Sequence, residues 1–431
     1  MNIATHLHSS QPIGLHRHAA HFCLLPFAKD VDSSVMQALM RGELPMLDDL
    51  PASWRFFHHA ANNRPDKAIG LLVGDDPIVS LNRMVLTGES TPLAAESVLH
   101  QALAFSLGLS DQTPSRQTPS PERLSDALPV ELSAWIGSVA ATAQMIQGHM
   151  EDACQGLLSA AESCHVASPV LAALLHAQIA SLVPNPVHQM QQMQAAIRLA
   201  SDAAPRIVAE LHLALGAIYQ ARGGTAIVEA IRTYQTALQT DIDEQADVAL
   251  MAELQNNLAT CFLATDDGNH LRAGIAVQTL RHARALICDE QHNELWARIT
   301  TNLAGALVYA PSSHPQSNLT EAVELYEELL QIRVRDKDPV AYARTSLNQA
   351  NALAHLGMFG PAMEKAAEAH KLLRAHEEVA AAEAAAELIE TIHQARADAN
   401  RQADANHQAD PNQRAHLAQP SAAPEAVHGS A

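Results

Sequence analysis

From Val130 onward, apolar and polar positions follow the 3.6-residue period of helices, and small residues return on the apolar side at fixed offsets. Triplets at i, i+4 and i+7 read Ala153, Leu157, Ala160; Ala230, Tyr234, Ala237; Ala276, Leu280, Ala283; Ala322, Tyr326, Leu329; and Ala362, Ala366, Ala369. Their first members lie 77, 46, 46 and 40 residues apart, and the interval of 77 holds a degenerate unit, Val170 to Ala200. A second motif precedes the triplets: Ala214-Leu215-Gly216, Asn257-Leu258-Ala259, Asn302-Leu303-Ala304 and Asn348-Gln349-Ala350. Two motifs advancing in phase predict helical hairpins stacked in series, since one such unit cannot bury its apolar side alone.

The run Asn348 to Ala369 sets Ala350, Gly357, Ala362, Ala366 and Ala369 at spacings that resemble the tetratricopeptide repeat family. The same step of five from glycine to alanine occurs at Gly148 and Ala153, and Asn318 to Tyr326 looks like the second helix of long-period bacterial repeats of this kind. Small residues let paired helices approach closely, and glycine permits the tight turn between them. The resemblance implies an all-α fold, a right-handed α-solenoid over residues 125–395, with protein binding as its function. Extra residues at Ala264 to Leu271 and Tyr309 to Leu319 predict loops protruding from one edge.

Upstream, turn formers break the pattern into short helices expected at Ser34 to Leu44, Ala52 to Asn62, Pro65 to Val73, Pro77 to Leu86 and Thr91 to Leu107. These make a helical N-terminal module, 1–108. Three prolines at 114, 119 and 121 interrupt helix and strand alike, so 109–124 is expected to be a linker or loop. Glu377 to Ala395, with Val379, Leu388, Ile389 and Ile392 on one side, suits a capping helix. Beyond Arg396 only Leu417 and Val427 are large aliphatics, and the segment 396–431 is expected to be a disordered tail.

Composition narrows the function. Asp and Glu number 47 against 27 Lys and Arg, a net charge of −20, the wrong sign for a phosphate backbone, so nucleic acid is not expected as a partner. No apolar run reaches membrane-spanning length, and Met1 to Leu25 is broken by histidines where a signal peptide would be apolar; a cytoplasmic location is expected, with no membrane partner. The five cysteines, Cys23, Cys154, Cys164, Cys261 and Cys288, are widely spaced and fit buried free thiols better than disulfides or zinc ligands.

No catalytic constellation emerges. Nucleophile elbows, phosphate-cradling glycine loops and dinucleotide fingerprints are absent, and adjacent Cys164 and His165 point about 100° apart on a helix. No cofactor is expected. His6, His8, His16, His18 and His21 leave open a maturation or metal-delivery role, although no carboxylate or thiol stands beside them at ligand spacing. Trp54, Phe56 and Phe57, and likewise Met190 and Met193, read as core more readily than as partner anchors.

The first helix of each hairpin is expected to line an inner groove for another protein or peptide, through Glu253, Asn256 and Thr260, then Arg298, Thr301 and Tyr309, then Arg344, Asn351 and His355. Arg298 and Arg344 hold equivalent places in consecutive units, which leaves two readings open: a stacked pair that grips a carboxylate or an acidic peptide, or ordinary solvated arginines with local partners. The family's carboxylate clamp is not reproduced residue by residue. The chain thus reads as a non-catalytic scaffold or adaptor that recruits, assembles or regulates a partner.

Overall fold

The computed structural model describes residues 3–29, 31–89, 98–110, 128–243, 247–265, 270–287, 293–309, 311 and 314–417. Among them no strand forms, and an isolated antiparallel bridge joins Leu7 to Pro26. The chain divides into two compact units, Met1–Cys261 and Phe262–Ala431.

The first unit opens with an irregular segment and then short helices α1 (Ser33–Arg41), α2 (Arg55–Ala61), α3 (Pro65–Leu71), α4 (Pro77–Thr87) and α5 (Val98–Ser106). Asp32 caps α1 and Asp76 caps α4, each side chain accepting a hydrogen bond from the amide two residues on. Trp54, Phe56 and Phe57 are fully buried, and the Trp54 indole donates to the Pro26 carbonyl at 2.8 Å, so these aromatics are core. Thr91, where the fifth short helix is expected to begin, residues 111–124 of the expected linker, and Cys288 lie outside the described residues.

Longer helices follow: α6 (Val130–Ile146), α7 (Met150–Cys164), α8 (Pro169–Leu182), α9 (Pro186–Leu199), α10 (Pro205–Arg222) and α11 (Ala226–Leu238). Helix α12 (Val248–Ala264) spans the division between the units. Proline opens α8, α9 and α10, where its missing N–H is no loss and its fixed φ favours helix entry. From α6 through α11 each helix packs on the next.

Shared cores and backbone contacts join the short N-terminal helices to the longer ones. Leu132, Trp135, Ile136 and Val139 of α6 share the core of Trp54 and Phe57, while Leu15 joins the core of α7 to α10. Gly42, in the left-handed region at φ 83°, meets Ile207 so closely that a Cβ would sit 2.5 Å from its Cδ1. The Ala204 amide donates to the Arg41 carbonyl at 2.7 Å, and Arg206 donates to the Leu15 carbonyl at 3.2 Å.

The second unit holds α13 (His270–Leu286), α14 (Asn293–Tyr309), α15 (Pro315–Ile332), α16 (Pro339–His355), α17 (Phe359–Ala375) and α18 (Val379–Leu417). Each packs on the next, and α14 also touches α16, as α16 touches α18. This alternation, with neighbours in sequence and next-but-one neighbours in contact, is the packing of a tetratricopeptide-like solenoid. Second helices are tied by ion pairs: Arg281 of α13 grips both carboxylate oxygens of Glu321 of α15 through Nε and Nη2, and Arg284 pairs with Glu328.

The periodic small residues lie where the pattern requires. All fifteen triplet positions from Ala153 to Ala369 are buried. Glycine turns follow α6 and α16 at Gly148 (φ 84°) and Gly357 (φ 77°), where the amide one residue further on reaches back to the carbonyl five residues earlier, His149 to Gln144 and Met358 to Leu353. Of the long loops expected after α12 and α14, residues 266–269, 310, 312 and 313 lie outside the described residues.

At the C-terminal end, α18 buries Ala382, Ala385 and Ile392 against α16 and α17, as a cap does. The helix then runs to Leu417, past the Arg396 boundary at which composition predicts loss of order. Residues 396–404 are exposed throughout, so they gain nothing from packing; Ala, Gln and Arg extend a helix already nucleated by the cap. Residues 418–431 lie outside the described residues.

Candidate functional site

Apolar residues of α14 turn inward and polar ones outward because the helix packs on α13, α15 and α16 along one side only. Leu303, Ala304 and Leu307 are buried, whereas Arg298 and Tyr309 are exposed and Thr301 and Asn302 half-exposed. Glu294, Arg298, Asn302 and Tyr309 recur at intervals of four and seven and therefore share a face. On α16, Arg344, Asn348, Asn351 and His355 form a matching row beside the buried Ala343, Ala350 and Leu353.

The two rows meet. Asn351 Nδ2 donates to the Tyr309 hydroxyl at 2.7 Å, and the Tyr309 and His355 rings stand edge to face with centroids 5.8 Å apart. Beneath them Tyr326 of α15 is buried, and burial pushes its phenol well above the ordinary tyrosine range. Toward the start of α14, a hollow of about 460 Å³ is lined by Glu294, Leu295, Arg298, Thr301, Asn302 and Arg333. Thr301 spends its hydroxyl on the Ala297 carbonyl at 2.7 Å, and Arg333 Nη1 donates to Thr345 Oγ1 at 2.6 Å.

The arginine expected to stand beside Arg298 is placed differently. Arg344 pairs with Glu378 at 2.6 Å, a carboxylate supplied by the turn before α18, and does not line the hollow. Arg333, which follows the last turn of α15, stands there instead. Reading the first helices alone missed it, because a side chain at the end of a second helix reaches the same face only once the hairpin is closed.

Glu253, Asn256 and Thr260 sit on α12 within the first unit. Asn256 is buried and donates from Nδ2 to Asn257 Oδ1 at 3.1 Å, so it faces neighbouring side chains and not an open wall. Thr260 donates to the Asn257 carbonyl and accepts from Gln220 Nε2 at 3.1 Å, while Glu253 is half-exposed. This part of α12 is closed by Tyr234, whose hydroxyl donates to Gln220 Oε1 at 2.9 Å.

The N-terminal histidines are dispersed. His6 Nδ1 donates to Asp76 Oδ2 at 2.6 Å, His8 stands edge-on to Trp54, and buried His16 donates from Nε2 to the Leu39 carbonyl at 2.9 Å. Burial lowers the His16 pKa to about 4. His21 packs edge-on against Phe22, and His18 is exposed. Among the described residues no three His, Cys, Asp or Glu side chains gather into a metal site.

Cysteine chemistry is equally muted. Cys23, Cys164 and Cys261 are buried free thiols and Cys154 is half-buried; burial pushes Cys164 and Cys261 each up to about 11. His165 turns away from Cys164 and donates from Nδ1 to the Glu162 carbonyl at 2.7 Å. No helix among the described residues is long and apolar enough to cross a membrane.

No family model matches the chain, and no curated protein matches it. Among solved structures it is similar to the apo form of RapI, at 12% identity and a TM-score of 0.49, covering 79% of this chain and 95% of that one. A Rap protein complexed with competence and sporulation factor matches at 12% identity and a TM-score of 0.41, over 80% of this chain and 97% of that one. The apo form of the quorum sensor NprR from B. thuringiensis matches at 11% identity and 0.38, over 78% and 98%. The repeat architecture of the present chain stands on its own helix packing.

Proposed function

We propose that this protein is a non-catalytic scaffold whose second unit holds a polypeptide segment of a partner along the exposed polar face of α14 and α16. The observation that carries the reading is the union, on one helix face, of the hollow lined by Arg298 and Arg333 with the Tyr309, Asn351 and His355 cluster. Arginine forks recognise carboxylates, and tyrosine offers a large contact area with few rotors to freeze. An extended segment carrying an acidic side chain fits both.

The remaining chemistry supports a binding role over a catalytic one. Buried thiols with raised pKa values make poor nucleophiles, and the one Cys-His neighbour pair is turned apart. A cytoplasmic adaptor that recruits or regulates another protein accommodates all of these features.

The test is capture of the natural partner by wild type and by Arg298→Glu combined with Tyr309→Ala. Both side chains are exposed, so thermal unfolding should barely move. Capture should fall about tenfold or more, roughly 1.4 kcal/mol. Undiminished capture by a folded double variant removes the reading.

A further inference from the structure

A second hollow, in the first unit, belongs to none of the above. It measures about 470 Å³ and lies where the short N-terminal helices meet the longer ones: Arg41 closes it from the end of α1, His165 and Ser168 from the turn between α7 and α8, Arg198 from the end of α9 and Asp202 from the turn after it. Pockets of this size at the junction of structural elements suit small molecules.

Its floor is the start of α8, a helix of 14 residues. Pro169 occupies the first position without an N–H, and the Val170 and Leu171 amides precede the first intrahelical bond, which Ala172 makes to the Ser168 carbonyl at 3.1 Å. The helix dipole adds positive potential there. Ser168 stands at the N-cap yet makes no capping hydrogen bond; the residue is 1% exposed, lines the hollow, and its hydroxyl has no partner. A buried hydroxyl left unsatisfied is destabilising, and an acceptor in the hollow relieves that cost.

Three cationic or protonatable side chains surround this floor in a chain of net charge −20. Arg198 is exposed, and His165 has Nε2 remaining beyond its bond to Glu162. Arg41 pairs with Glu43 at 3.2 Å through Nη2 while its Nε is buried without a partner. The frame is fixed, since the Ala204 amide bonds the Arg41 carbonyl and Gly42 is pressed against Ile207. Asp202 sits on the rim and repels a bare anion but accepts hydrogen bonds from hydroxyls.

We infer that this hollow is a binding site for a small phosphomonoester, its phosphate at the start of α8 against Ser168, Arg41 and Arg198 and its hydroxylated body toward Asp202. Occupancy joins the module to the repeats, because the ligand touches both. The site is independent of the α14 and α16 face, so either proposal can fail alone.

Isothermal titration calorimetry on the full chain, at matched ionic strength, tests it with inorganic phosphate, glucose 6-phosphate and glucose as probes. Saturable binding of glucose 6-phosphate, weaker binding of phosphate and none of glucose is the expected order. Arg198→Glu should weaken glucose 6-phosphate by about tenfold or more, and Ser168→Ala severalfold, with Arg298→Glu in the second unit unchanged. Binding of neither phosphate probe, or binding indifferent to both Arg198→Glu and Ser168→Ala, overturns the inference. Because Arg198 is exposed, its variant stays folded and the result is readable even where Ser168→Ala perturbs the turn.

Discussion

Gly216 shows how much one small side chain decides. A Cβ there would sit 2.4 Å from the Tyr234 ring, closer than packed atoms tolerate. Glycine to alanine inside a helix ordinarily stabilises by about 1 kcal/mol; here overpacking wins, and Gly216→Ala should cost about 1–3 kcal/mol by denaturant unfolding. The opposite sign holds at Glu377, a non-glycine residue in the left-handed region (φ 60°) at a turn built like those of Gly148 and Gly357. Glu377→Gly should stabilise by about 1 kcal/mol, measured the same way.

His16 carries the pH dependence at this scale. Its pKa falls from 6.5 to about 4 because burial disfavours the imidazolium, so between these values the unfolded chain binds a proton that the folded chain does not. Stability contributed by the neutral ring is complete above pH 6.5 and is lost as pH falls toward 4, about 3 kcal/mol across the window. His16→Gln keeps a donor for the Leu39 carbonyl and should flatten that slope in unfolding curves taken from pH 7 to about 4.

At the scale of elements, legibility follows burial. Triplets such as Ala276, Leu280, Ala283 announce their helices because each position is packed on both sides and tolerates only certain sizes. The N-terminal histidines misdirect, since His16 is held by a backbone carbonyl 23 residues away, a contact no local pattern encodes. Arg344 misdirects for the same reason: repeat register places it correctly on α16, but Glu378 arrives from outside the register. The pattern sees the hairpins and not the turns that decorate them.

Helix α18 makes the distinction testable. Ending the chain at Arg396 removes only exposed residues among those described, and the unfolding midpoint should be unchanged. Ending it at Glu378 uncovers Leu373, Ala350 and Leu353 and removes the cap; the midpoint should drop sharply and the second unit should aggregate. Equal behaviour of both truncations would deny α18 its capping role.

For the whole molecule, the stacking of small residues explains why a chain so poor in aromatics folds at all, and why its polar side chains collect on one face of the first helices. Function is less legible than fold because the repeat specifies a wall and leaves open which outward side chains recognise something. The face built by Arg298, Tyr309 and His355 is read by what its residues can bind, and a position-specific contact decides the matter. A photo-crosslinking amino acid placed at Tyr309, and separately at exposed Lys371 on α17, tests this most directly in the native host. The scaffold account predicts a discrete partner adduct from position 309 and none from position 371. Adducts of equal yield at both positions, or at 371 alone, would contradict it.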